Sequence, residues 1–163
     1  MYPRIALAAS VLAVALLSAA CGSTPQSAAT PSPSSATSPS PAAAAGTTVA
    51  VATNKLGQIL VDGKGMTVYL FVADTGTTST CYASCATIWP PVLTTGAPQA
   101  GTGADASLLS TTQRTDGTME VTYAGHPLYY FVKDKAAGDT TGQGVNGFGA
   151  LWWILSPTGT AMH

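Results

Sequence analysis

Two stretches decide the fold: Gly57-Gln-Ile-Leu-Val-Asp-Gly-Lys-Gly-Met-Thr-Val-Tyr-Leu-Phe-Val-Ala-Asp74 and Gly117-Thr-Met-Glu-Val-Thr-Tyr-Ala-Gly-His-Pro-Leu-Tyr-Tyr-Phe-Val-Lys-Asp134. Sliding the chain over itself by 60 residues superposes them, and seven of 18 positions agree: Gly57/Gly117, Val61/Val121, Gly65/Gly125, Tyr69/Tyr129, Phe71/Phe131, Val72/Val132 and Asp74/Asp134. Self-similarity at a fixed period marks an internal duplication.

Each copy reads as strand, tight turn, strand. In the first, Gln58 to Asp62 leads through Asp62-Gly63-Lys64-Gly65 to a strand over Met66 to Val72. In the second, Met119 to Tyr123 leads through Ala124-Gly125 to Leu128 to Val132. Asp116-Gly117, between Gln113-Arg114 and Met119-Glu120-Val121, is the strongest hairpin-turn signal in the chain. Because strand side chains alternate, Tyr69 and Phe71 share one face, as do Tyr129 and Phe131. The opposite faces are also apolar, through Val68, Leu70 and Val72 and through Leu128, Tyr130 and Val132. Both strands are therefore expected to be central and covered on two sides. Each copy then reaches tryptophan, at Trp89 and at Trp152-Trp153, 15 and 18 residues past its aspartate.

Around these copies, Val49 to His163 forms about 115 residues, an ordinary size for one domain. Only 12 of them are charged, while Thr, Val, Tyr, Phe and Trp recur between frequent Gly and Pro. No amphipathic helical stretch of usual length appears. This composition predicts an all-β fold: a two-repeat antiparallel domain, a small sandwich or barrel-like, with repeats at about 57–91 and 117–155.

The N-terminus reads differently. Arg4 and the α-amine precede Ile5 to Leu17, 13 residues with Ser10 as the one polar member, which is the pattern of a secretory signal peptide over residues 1–20. The apolar run from Ile5 to Ala20 is 16 residues, shorter than the roughly 20 that span a bilayer. Leu17-Ser18-Ala19-Ala20-Cys21-Gly22 resembles the bacterial lipobox, with Ser18 where leucine usually stands. Ser18-Ala19-Ala20 also suits ordinary signal-peptide cleavage. Three cysteines would remain outside the reducing cytosol, and lipidation of Cys21 removes the odd one, leaving Cys81 and Cys85 to pair. The expected location is then the cell membrane, lipid-anchored at its extracytoplasmic face, with the bilayer as a partner through Cys21.

Gly22 to Thr48 contains only Gly, Ser, Thr, Pro, Gln and Ala, too little apolar surface to offset chain entropy, and reads as a disordered linker following Cys21. Its 27 residues would reach roughly 30 Å as a coil and about 80 Å if extended. Without the signal peptide, five basic residues face seven acidic ones, with no basic patch, so nucleic acid is not an expected partner.

The combined motifs resemble the secreted-repeat lipoproteins of unknown function. Their Tyr-x-(aromatic)-x-x-Asp signature stands twice, as Tyr69 to Asp74 and as Tyr129 to Asp134. Ser79-Thr80-Cys81-Tyr82-Ala83-Ser84-Cys85 leading to Trp89-Pro90-Pro91, Tyr123 to Tyr129, and Gly138-Asp139-Thr140 through Gly149 also match. The resemblance implies export and fold, and brings no settled activity.

Candidate chemistry is sparse. Cys81-x-x-x-Cys85 suits a structural disulfide, a redox pair or half a metal site; thioredoxin-type motifs have two intervening residues, and zinc needs four ligands. A disulfide closing so short a loop stabilises by about 2 kcal/mol on the chain-entropy model. Gly142-Gln143-Gly144-Val145-Asn146-Gly147 spells Gly-x-Gly-x-x-Gly but lacks the strand, helix and later acid of a dinucleotide site, and reads as a turn-rich loop beneath Trp152 and Trp153. Asp74 and Asp134 could act as paired carboxylates or cap turns through amides two residues on. Met66 and His126 occupy equivalent positions; if they face across a pseudo-two-fold axis, thioether and imidazole suit copper. No cofactor is expected on the leading reading, which is a non-enzymatic, membrane-anchored module binding an envelope component or another protein. Redox or metal handling, with copper or haem, is the alternative, and a hydrolase using Asp74 and Asp134 is a third.

Overall fold

The computed structural model describes residues 46–163. The signal peptide, Cys21 and nearly all of the linker lie outside the described residues. Nine short strands account for most of the regular structure: β1 (Thr48–Asn54), β2 (Gly57–Asp62), β3 (Tyr69–Phe71), β4 (Gln99–Ala100), β5 (Leu109–Gln113), β6 (Met119–Tyr123), β7 (His126–Pro127), β8 (Asn146–Gly147) and β9 (Ala150–Ile154). One five-residue helix, α1 (Ser84–Ile88), and a single 3-10 turn at Ala106–Leu108 complete the set. Among the described residues no helix is long and apolar enough to cross a membrane.

The fold is all-β and two-repeat, as expected, and its strands gather into three small sheets ordered β2-β1-β4, β3-β9-β8 and β5-β6-β7, without closing a barrel. All named strand pairs are antiparallel except β1 with β4.

Turn chemistry sets the hairpins. Between β5 and β6, Gly117 N–H donates to Arg114 O and Arg114 N–H to Thr118 O, with Gly117 at φ 85. This is a type I turn closed by a glycine bulge, and the Asp116 side chain holds it by accepting from Thr118 N–H at 2.9 Å. After β2 the same device recurs: Gly65 N–H donates to Asp62 O and Asp62 N–H to Met66 O, with Gly65 at φ 84. The β6–β7 connection is one residue tighter, a two-residue turn with both Ala124 (φ 49) and Gly125 (φ 83) left-handed.

That missing residue shifts the overlay. Leu60 donates to Leu155 O and accepts from Val68 N–H; Val121 donates to Val92 O and accepts from Leu128 N–H. Leu60, not Val61, is therefore the structural counterpart of Val121, and the Val61/Val121 match of the 60-residue overlay is a correction of one position. Ile59 then corresponds to Glu120, and Val61 to Thr122.

The two repeats exchange strands about a pseudo-two-fold axis at Tyr69 and Tyr129, which swap both backbone hydrogen bonds at 2.8 and 2.9 Å. β3 of the first copy pairs with β9 of the second, Phe71 opposite Trp152. In return, Tyr130 N–H donates to Pro90 O and Val132 N–H to Ile88 O, so the second copy's aromatic segment lies against the Trp89 segment of the first. Both central segments are covered on two sides. Tyr69, Phe71, Tyr129 and Phe131 enter one apolar cluster with Trp89 and Trp152, and Val68, Leu70 and Leu128 enter another with Val49, Val92 and Leu155. Val72 and Val132 depart from the expectation, at 53% and 39% exposure, because each lies where its segment runs out of the core.

Candidate functional site

Four rings form a continuous stack across the pseudo-axis: Phe71 on Trp152 at 4.0 Å, Trp152 on Trp89 at 4.0 Å, and Trp89 on Phe131 at 4.1 Å between centroids. Tyr69 meets Trp89 edge-on at 5.4 Å and Tyr129 meets Trp152 edge-on at 5.2 Å. Each such pair adds about 0.5–1.5 kcal/mol beyond its buried area, and all three stacked contacts join one copy to the other.

The signature tyrosines and aspartates bond across that link. Tyr69 Oη donates to Asp134 Oδ2 and Tyr129 Oη to Asp74 Oδ2, both at 2.6 Å. Each repeat's tyrosine thus serves the other repeat's carboxylate. The remaining aspartate oxygens cap loops: Asp74 Oδ1 accepts from Thr80 N–H and hydroxyl at 2.7 and 2.8 Å, and Asp134 Oδ1 accepts from Thr141 N–H at 2.9 Å and from its hydroxyl. The caps reach six and seven residues on rather than two, because each loop must return to the rim before the chain proceeds to tryptophan. Burial, reinforced by the aspartate bond, pushes the Tyr69 phenol far above its ordinary value. Tyr129 is pushed up by burial, then by the Glu120 charge and the Asp74 bond. Both phenols stay protonated and donate.

Beneath Tyr129 the copies differ. Arg114 and Glu120 are buried, at 3% and 0% exposure, and pair through Arg114 Nη1 and Glu120 Oε2 at 2.7 Å. Arg114 Nη1 also donates to Ser79 Oγ at 2.7 Å, Nη2 donates to Cys81 O at 2.7 Å, and the guanidinium lies 4.3 Å from the Tyr82 ring centre. Ser79 Oγ lies 2.7 Å from Tyr129 Oη, which completes a hydrogen-bonded chain from the half-buried Asp74 to the buried Glu120. Burial pushes the Glu120 carboxyl up to about 7 against the bond and charge of Arg114. In the other half, Gly142 N–H donates to Tyr69 Oη at 3.2 Å where Ser79 would stand, and Ile59 takes the place of Glu120.

Cys81 and Cys85 form a disulfide with Cα atoms 5.2 Å apart, spanning the entry into α1. It pins the excursion between Asp74 and Trp89 and, through Cys81 O, the Arg114 guanidinium. The glycine-rich loop packs against tryptophan as expected: Gly144 N–H donates to Trp152 O, Trp152 Nε1 donates to Gly147 O, and a side chain at Gly144 would meet the Trp153 ring at 3.2 Å.

Met66 and His126 do not face each other. Antiparallel pairing at Tyr69 and Tyr129 carries residues three positions earlier toward opposite ends, six residues apart or roughly 20 Å. Met66 O accepts from Asp62 N–H in its own turn, and His126 pairs with Tyr123. Among the described residues no group of three or more His, Cys, Asp or Glu is placed to hold a metal.

Ser79, Arg114 and Glu120 carry no repeat signature and were not among the candidate residues. One signal pointed to Glu120: the overlay sets an acid against an aliphatic strand position in a domain with few charges.

Strand exchange, a stack shared between copies and reciprocal Tyr–Asp bonds define a tandem-repeat β domain whose halves are built into one another. The chain belongs to the family described as a secreted repeat of unknown function, which matches residues 50–93 and again residues 110–156. The family is secreted, so the domain is extracytoplasmic. The matched spans take in most of β1 and most of β5, strands that the repeat bounds of 57–91 and 117–155 leave out. No curated protein and no solved structure matches the chain.

Proposed function

We propose that the protein is a non-enzymatic binding module, held at the extracytoplasmic face of the cell membrane by acyl chains, palmitate among them, on Cys21 and raised from the bilayer by the Gly22–Thr48 linker. One observation carries the non-enzymatic part: the groups best suited to chemistry are spent on one another. Tyr69 and Tyr129 are fully buried, their hydroxyls are committed to Asp134 and Asp74, and Arg114 and Glu120 are closed beneath Tyr129. A general base must reach a substrate proton, and these groups reach only the fold. The anchor rests on Cys21, the odd cysteine of the exported chain, and on the added chains, each buried methylene contributing about 0.8 kcal/mol.

The test is intact mass of the protein from its native membrane, with and without reduction, joined to crosslinking in intact cells. The expected result is an acylated N-terminal Cys21, a gain of about 2 Da on reduction for the one disulfide, and a crosslinked envelope component whose yield per folded molecule is unchanged in Asp74→Asn and Asp134→Asn. An unacylated chain in the medium would overturn the anchor. A hydrolytic activity abolished by either substitution in a folded protein would overturn the binding module.

A further inference from the structure

The duplication leaves one sheet edge covered in the first copy and open in the second. In the first copy β1 pairs with β2 on one side and with the inter-repeat chain on the other. Thr47 O accepts from Gln99 N–H at 3.0 Å, Val49 O from Gly101 N–H at 2.7 Å, and Val51 N–H donates to Thr102 O at 2.8 Å. In the second copy, β5 pairs with β6 as β1 pairs with β2, and Thr111 stands opposite Val121 as Val51 stands opposite Leu60. Val121 spends its own N–H and C=O on Val92 and Leu128, away from β5. Thr111 N–H and Leu109 C=O, the counterparts of Val51 N–H and Val49 C=O, therefore point outward, and among the described residues neither meets a hydrogen-bond partner. Exposed edges are usually blunted by charge, proline or a bulge, whereas Leu109-Ser110-Thr111-Thr112-Gln113 carries none of these.

We propose that this edge binds an extended peptide segment of a partner protein, added parallel to β5 as β4 is added to β1. The inference rests on the binding-module reading and names its ligand class. The segment seated on β1, Gln99-Ala100-Gly101-Thr102-Gly103, shows what such an edge accepts. It is uncharged, and a side chain at Gly101 would meet Ala50 Cβ at 2.9 Å, while one at Gly103 would meet Val51 Cβ at 2.9 Å. The partner segment is thus uncharged with glycine at alternate positions. Main-chain bonds to Leu109 and Thr111 supply affinity, and the recess of about 140 Å³ lined by Thr111, Met119 and Thr94 to Ala97 receives a side chain.

The probe is a synthetic peptide of residues 97–104 offered in trans to the exported protein, read by the amide NMR signal and hydrogen exchange of Thr111. Saturable shift and protection of the Thr111 amide are expected. Thr111→Pro removes the outward N–H, leaving the β5–β6 ladder and the melting temperature near those of the parent, and should weaken binding at least tenfold beyond Thr111→Ala, which alters the recess side chain but keeps the N–H. Unchanged Thr111 signals at millimolar peptide, or equal binding by Thr111→Pro, would overturn the inference. A dimer of the protein abolished by Thr111→Pro would overturn it in favour of a second copy at this edge. Envelope crosslinking that survives in Thr111→Pro keeps the binding module and discards the edge; a parent protein that crosslinks to nothing discards the module itself.

Discussion

Glu120 stands where Ile59 stands in the first copy, and the substitution changes what its neighbours must do. A buried carboxylate needs a cation, so Arg114 is drawn in from the hairpin tip and in turn takes up Ser79 Oγ and Cys81 O. Removing one member of such a pair strands the other, at about 3–5 kcal/mol, while replacing both with apolar groups is neutral or stabilising. Arg114→Met alone should therefore lower stability by about that amount in urea melts. Arg114→Met with Glu120→Ile, which restores the chemistry of the first copy, should recover it. A double variant as unstable as the single one would show that the pair is required by its surroundings and not merely tolerated. The sign of the pH dependence follows from burial. Glu120 binds its proton more tightly folded, near 7, than at its ordinary value of 4.5, so its contribution is full below about 4.5 and is lost as pH rises through about 7. Glu120→Gln should remove that slope. The acid limb should remain, because Asp105, Asp116 and Asp139, each held low by hydrogen bonds to its own loop, stabilise above their ordinary value and lose that below it.

At the scale of the element, the turns determine register, and one turn is built against its residue's preference. The β8–β9 hairpin closes through Phe148 and Gly149, both left-handed at φ 58 and 91, with Phe148 at 48% exposure. A left-handed conformation costs a side-chain-bearing residue roughly 1–2 kcal/mol, and Asn-Gly is the preferred pair for such a turn. Phe148→Asn should therefore raise the melting temperature, by a few degrees for a domain of this size. A fall would show that the exposed ring holds neighbouring structure through contacts worth more than the strain. Alternation along Tyr69 to Phe71 and Tyr129 to Phe131 made the buried faces legible in the sequence, and Asp116-Gly117 announced its hairpin, because both signals are local. The one-residue shift between Leu60 and Val121 was not legible. Identity at Val61/Val121 outweighed a difference in turn length that shows itself only through hydrogen bonds. The reciprocity of Tyr69 with Asp134 and Tyr129 with Asp74 was hidden for a related reason: a repeated motif suggests that each copy serves itself. The Arg114–Glu120 pair, six residues apart around a hairpin, has no periodicity to betray it.

At the scale of the molecule, strand exchange means that neither copy contains its own core. The first copy holds Tyr69 and Phe71 but leaves them against β9 of the second, and the second holds Tyr129 and Phe131 but lays them on the Trp89 segment of the first. Half of the four-ring stack comes from each side, and so does each Tyr–Asp bond. A single copy of this length is marginal on its own, and here it would also leave its central aromatic residues without the strands they pack against. The repeats should therefore unfold together in one transition, with fluorescence from the tryptophans and far-ultraviolet dichroism giving coincident curves. Cutting the chain in the Gly103–Asp105 bend, where the link between copies is exposed, makes the same point more sharply. Each separated half should be unstructured, and mixing them should regain the tryptophan environment and the native dichroism, because the bonds between the halves are the bonds that make each of them. A half that folds alone would show that the strand exchange is not what holds it. Halves that stay unfolded together would show that the chain link contributes more than the stack, placing the decisive term in the loop entropy saved by covalent connection rather than in the aromatic contact.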